Sequence, residues 1–204
     1  MDSRPQETPT FNPNVNPQQE LPQLAAAGLT SSRSRRSTYA LWVRDVAVSA
    51  VASILFILFL YQPVRVEGTS MMPRLENHDR LFINKFVYHF EAIDHDDVVV
   101  FHYPLDPSKS YIKRVIGLPG DRIEIIHGQV WLNGRKLRER YVPARYRDSD
   151  SMAAMIVPKD CYFVMGDHRS ISSDSRAFGP VERSLIYGKA EFVYWPAKDM
   201  GVVR

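Results

Sequence analysis

The sequence predicts a mainly β protein: an antiparallel β-sheet domain that follows a single N-terminal apolar helix. Three observations predict it. From Val46 to Tyr61 every residue is apolar except Ser49 and Ser53. Beyond that run, short stretches rich in Val, Ile, Phe and Tyr are separated by Pro, Gly and polar residues, the composition of pleated, half-buried strands. Pro119-Gly120-Asp121 and Asn133-Gly134 supply turn chemistry between such stretches. The 204 residues allow one domain with appendages, and the roughly 140 that follow residue 62 are enough to bury a core.

Residues 1–38 are polar, poor in aromatics and punctuated by Pro5, Pro9, Pro13, Pro17 and Pro22. Such a segment buries too little surface to offset its ordering entropy and is expected to be a disordered tail. A transit peptide is the competing reading of the Ser/Arg-rich end, but the prolines and the missing amphipathic pattern oppose it. Sixteen helical residues span only about 24 Å, short of a bilayer core of roughly 30 Å. The expected transmembrane helix therefore covers 40–62, with Trp42 at the interface and Arg44 snorkelling toward headgroups. Arg33, Arg35, Arg36 and Arg44 precede the span, whereas Arg65 is offset by Glu67 after it. The positive-inside rule then puts the N-terminus in the cytoplasm and residues 63–204 on the other side of a single-pass membrane protein.

Strands are expected over 80–88, 97–103 and 111–116, followed by a hairpin from 122–126 to 129–132 around His127-Gly128. Asn133-Gly134 opens a second hairpin toward Leu137. Residues 138–154, with Arg-Asp-Ser-Asp-Ser character, read as an exposed excursion. Strands over 162–165 and 190–195 complete the domain, and no helix-period run is evident after the apolar helix. Net charge is only +3, with both signs interspersed after the helix, so nucleic acid is not an expected partner. The lone Cys161 excludes an intramolecular disulfide and reads as a small buried apolar side chain.

Serine chemistry needs a base. The six histidines, His78, His89, His95, His102, His127 and His168, are scattered, and none has a nucleophile-elbow or metal-ligand context. A lysine serves instead if burial depresses its pKa until the free amine is populated. Lys113, in Tyr111-Ile112-Lys113-Arg114-Val115-Ile116, is the candidate, since its stem can run through an apolar strand environment. Ser70, in Gly68-Thr69-Ser70-Met71-Met72-Pro73, is the candidate nucleophile.

Three blocks in order, Gly68 to Pro73, Tyr111 to Asp121, and Gly166-Asp167-His168-Arg169 on to Arg176, resemble the type I signal peptidases, membrane-anchored Ser–Lys proteases. The resemblance runs from about Arg65 to Val193. It implies Ser70 as nucleophile, Lys113 as general base and Ser172 as the hydroxyl that orients the lysine amine. It implies a structural salt bridge between Asp174 and Arg176, and an oxyanion held by the Ser70 N–H with a second donor. Gly68 stands where some members carry a serine for that second donor, which leaves Thr69 or a water. Arg74 and His168 are further departures, where Thr and Asn are frequent. Shallow pockets for Ala-x-Ala sites are implied at Val66, Met71, Leu75, Tyr111 and Ile112. The resemblance also implies preprotein signal peptides and the lipid bilayer as partners, proximity to the protein-export machinery, and no metal or cofactor. Two other readings stand beside it: an inactive membrane-anchored homologue that binds signal peptides, and a self-cleaving Ser–Lys protease of the repressor type.

Overall fold

The structure is a computed structural model that describes residues 31–203, with side chains from Thr38 onward. The disordered tail expected over 1–38 lies outside the described residues as far as residue 30; from Ser31 the chain is helical. The chain divides into two units, Met1–Ile54 and Leu55–Arg204. Helix α1 covers Ser31–Leu60. Its stretch Thr38–Leu60, of 23 residues, is long and apolar enough to cross a membrane by length and composition. It ends two residues before the predicted boundary at 62, because Tyr61 already pairs with Asn84 in a strand.

The second unit is built of antiparallel strands. β1 is Tyr61–Arg65 and β2 Arg80–Asn84. A one-turn helix α2, Val87–Phe90, follows, then β3 Val98–Tyr103, β4 Asp106–Gly117, β5 Arg122–Ile126, β6 Gln129–Leu132 and β7 Arg135–Lys136. Next come β8 Met152–Ile156, β9 Cys161–Met165, the one-turn helix α3 Ser175–Phe178, β10 Val181–Glu182, β11 Ile186–Trp195 and β12 Gly201–Val202. The larger sheet has the order β1-β2-β11-β3-β4-β9-β10, with β12 paired to β11, and the smaller one β7-β6-β5-β8.

Local chemistry explains where elements stop. The strand expected to run to Tyr88 ends at Asn84, whose side-chain oxygen accepts the N–H groups of Phe86 and Val87, both at 3.0 Å. That side chain offers the backbone an alternative to the ladder, and the chain turns into α2. Asn133 and Gly134 have φ of 52° and 77°, as a tight hairpin turn with two left-handed residues requires. His127 and Gly128 repeat the geometry at 47° and 73°, which gives His127 a turn role. β4 begins at Asp106 instead of Tyr111 because its early polar residues pair with β3, Tyr103 opposite Asp106 and His102 opposite Ser110.

Two expectations are overturned. The excursion at 138–154 is not simply exposed: Glu139, Val142 and Tyr146 are buried, and its last residues enter β8. Cys161 is half-buried at the start of β9 and not a core side chain.

Three apolar clusters hold the unit together. One contains Val66, Met71, Leu75, Leu81, Ile83 and Val100. Another gathers Val99, Phe101, Val115 and Val164, and the third packs Ile116, Ile123, Ile125 and Phe163 beneath the small sheet. β4 runs between β3 and β9 and contributes to two of them directly. Its residues from Lys113 to Gly117 are buried on both faces.

Candidate active site

Ser70 sits on the loop between β1 and β2. The loop is closed at its base: Val66 N–H donates to Asp79 O at 2.8 Å, and His78 N–H donates to Val66 O at 2.9 Å. Its apolar residues Val66, Met71 and Leu75 are sunk in the first core cluster. Gly68 has φ +103°, a backbone conformation that costs glycine little and other residues a good deal. Its N–H donates to Asn77 Oδ1 at 3.0 Å. Polar loop residues are thus spent on holding the turn, and Ser70 is left facing the cleft.

Lys113 reaches the same point from β4. Its Nζ lies 2.7 Å from Ser70 Oγ and 3.1 Å from the carbonyl of Ile112. The Tyr111 ring centre is 5.2 Å away. With only 4% of Lys113 exposed, burial lowers its pKa from 10.5 to about 8, against the pull of Asp174 and Asp167 in the other direction. A neutral amine is therefore populated near physiological pH, which an exposed lysine does not offer.

The two carboxylates that oppose this shift are each held by an arginine. Arg114 donates to both oxygens of Asp167, at 2.9 and 2.7 Å, with neither side chain exposed. Arg176 donates to both oxygens of Asp174, each at 2.8 Å, and also pairs with Asp148. Asp174 additionally caps α3 through the Arg176 N–H and accepts the Gly166 N–H at 3.1 Å. It is fully buried, so the Asp174–Arg176 pair is an internal brace and not a surface turn.

The segment after β9 closes the site from behind. A methyl group on Gly166 would lie 2.5 Å from the Ser70 carbonyl and 2.6 Å from Ser172 Cβ, and closer still to Ser172 Oγ. The backbone of one segment thus presses on the turn that carries Ser70, and only glycine fits. His168 N–H donates to Ser70 O at 3.0 Å. Ser172 is brought to the same spot, but its buried Oγ has no hydrogen-bond partner among the described residues and does not reach the lysine amine. Here the structure departs from the resemblance, which pairs that hydroxyl with Lys113.

The cleft in front of Ser70 has a volume of about 830 Å³ and lies between the segments 64–71 and 109–113. Of the five candidate pocket residues, Val66, Met71, Tyr111 and Ile112 line it, and so does Thr69. Leu75 is fully buried in the core and is absent from the lining. Among the described residues no group of three or more His, Cys, Asp or Glu is arranged to hold a metal ion.

Sequence reasoning missed several supports of the site. Arg114, Asp167, Arg169 and Glu139 form two buried ion pairs, the second at 2.5 Å. Arg114 and Asp167 stand inside or directly after apolar strand runs, and a charge in such a run must be paired. That signal was readable. The partner of Arg169 was not, because Glu139 lies in a segment whose sequence reads as solvated.

Fold and cleft together define a β-sheet protein with a serine and a buried lysine in contact. A family model described as "Signal peptidase, peptidase S26" matches residues 39–195. A signal peptidase I from Bacillus caldolyticus is 40% identical over 170 residues, 78% of this chain and 91% of the relative. One from Bacillus amyloliquefaciens is 34% identical over 180 residues, 83% of this chain and 92% of the relative. A solved signal peptidase I structure from Enterococcus faecalis shares 28% identity, covers 48% of this chain and 97% of its own, and has a TM-score of 0.44. The chain belongs to the signal peptidase family, peptidase S26.

Proposed function

We propose that this chain is a membrane-anchored serine endopeptidase that removes N-terminal signal peptides from exported preproteins, cutting after small residues of the Ala-x-Ala type. The observation that carries the mechanism is the 2.7 Å separation of Ser70 Oγ and Lys113 Nζ, with the lysine buried and its pKa lowered to about 8. Neutral Lys113 takes the hydroxyl proton as Ser70 Oγ attacks the scissile carbonyl. The negative charge that develops on that carbonyl oxygen is met by the Ser70 N–H. The protonated lysine then gives its proton to the leaving amine, which departs as the new N-terminus of the mature protein. Water, deprotonated by the same lysine, hydrolyses the acyl-enzyme and frees the signal peptide. Ser172 completes the set in this reading by binding the lysine amine once substrate is seated. Thr69 or a water supplies the second oxyanion donor.

Small side chains before the cut are supported by a cleft whose lining includes the apolar side chains of Val66, Met71 and Ile112. The apolar helix tethers the site beside the bilayer, where the signal peptide is itself anchored. The charge flank of the helix supports a cytoplasmic N-terminus with residues 63–204 on the opposite side.

The test is incubation of the purified full chain, in detergent, with a labelled preprotein. Cleavage at an Ala-x-Ala site is expected from the parent chain and none from Ser70→Ala, Lys113→Ala or Lys113→Arg, since guanidinium stays protonated. Substantial cleavage by Lys113→Arg would sink the lysine-base mechanism. Orientation is read by adding a protease outside spheroplasts, which should digest 63–204 and spare an epitope placed before residue 38.

A further inference from the structure

We propose that His168 is a positioning residue that aims the backbone N–H of Ser70 at the developing oxyanion. The inference rests on Ser70 being the nucleophile. Two peptide units flank the Ser70 Cα, and His168 holds both. Its backbone N–H donates to Ser70 O at 3.0 Å, and its ring Nδ1 lies 3.3 Å from Thr69 O. A carbonyl only accepts, so Nδ1 carries the proton in this contact.

The Thr69 carbonyl and the Ser70 N–H belong to one peptide plane. In a planar trans peptide they point in opposite directions, so fixing the first fixes the second. The Ser70 N–H donates to no group among the described residues, and Ser70 borders the cleft. A free donor, rigidly aimed into a cleft beside a nucleophile, is what oxyanion stabilisation requires.

The ring is itself held in place. Tyr146 meets it edge to face, with centroids 4.5 Å apart. Tyr146 is buried, and its carbonyl accepts the N–H of Arg169 at 2.8 Å. Arg169 is tied in turn to Glu139. The segment 139–148, which lies between β7 and β8 of the small sheet, thus serves as the backstop of the nucleophile turn.

Oxyanion stabilisation acts on the transition state, so loss of the aim lowers kcat and leaves KM in place. The experiment compares the full chain in detergent with His168→Leu and His168→Asn, each checked for an unchanged thermal midpoint. Leucine fills the space without a donor, whereas the asparagine amide carries an N–H close to the position of Nδ1. With one hydrogen bond lost, kcat of His168→Leu should fall about tenfold at constant KM, and His168→Asn should recover most of it. Affinity for a peptide aldehyde, whose hemiacetal with Ser70 Oγ presents the oxygen of the tetrahedral state, should fall in step with kcat. Affinity for the cleaved signal peptide should not change.

Parental kcat in His168→Leu would overturn the proposal. So would a loss in His168→Asn equal to that in His168→Leu, or a defect that appears in KM or product binding alone. A Ser70→Ala control separates the two levels of inference: if it cleaves, the nucleophile assignment fails, and if it is inert while His168→Leu is parental, only the role of His168 fails.

Discussion

Arg114 and Asp167 face one another through two parallel hydrogen bonds, and neither side chain has any exposed surface. The guanidinium also lies 4.1 Å from the ring centre of Tyr141 and donates to the Asp96 carbonyl at 3.0 Å. Lys113 precedes Arg114 on the same strand, so these two neighbouring cations of β4 leave on opposite faces, Lys113 with no acid in contact among the described residues and Arg114 fully paired. Removing one partner leaves a buried charge. Arg114→Met should therefore cost about 3–5 kcal/mol in urea denaturation of the full chain in detergent. Arg114→Met combined with Asp167→Leu should recover much of that loss, and a double variant no better than the single would show that the charge is not the cause.

The lysine makes two pH predictions. Cleavage should rise with pH through about 8, as the amine loses its proton, with Ser70 untouched in the range. Stability should follow a separate window. Between about 8 and 10.5 the unfolded chain holds a proton that folded Lys113 lacks, so the folded state gains stability as pH rises, by up to about 3 kcal/mol. Below that window both states are protonated and the slope is absent. Comparing urea midpoints of the parent and Lys113→Met from pH 7 to 10.5 checks the sign; a slope that survives the substitution assigns it elsewhere.

Gly166→Ala is expected to abolish cleavage with a modest loss of stability. The added methyl meets the Ser70 carbonyl at 2.5 Å, a backbone atom that moves only if the Ser70 turn moves with it. Retained cleavage in this variant would mean that the turn tolerates displacement.

For Ser172→Ala, stability and activity should part company. The hydroxyl is buried without a partner, so its removal should leave stability unchanged or raise it by about 1 kcal/mol. In the proposed mechanism it binds the lysine amine once substrate is seated, so cleavage should slow by roughly ten- to a hundredfold. Equal and parental cleavage rates would remove Ser172 from the mechanism.

Local chemistry made much of both sheets legible. The Val98–Tyr103 and Cys161–Met165 strands announce themselves by composition, and Asn133-Gly134 by a turn that few other pairs form. The early part of β4 was hidden because Asp106 to Ser110 has no β character of its own; it is a strand through its ladder with β3. Ser70 and Lys113 were nameable through their motifs, but nothing in a 43-residue separation reports the contact between them. The role of the 139–148 segment was the least visible. Its Arg, Asp and Ser content reads as solvated, and only the fold supplies Arg169 to Glu139 and Arg176 to Asp148.

The low proton affinity of Lys113 comes from burial, and the charges of Asp174 and Asp167 only work against it. In the proposed mechanism this gives the substrate a second duty. A peptide laid between the segments 64–71 and 109–113 buries the amine further, and the amine sheds its proton more readily for it. The signal peptide then acts as a desiccant: filling the groove sharpens a base that burial has already prepared.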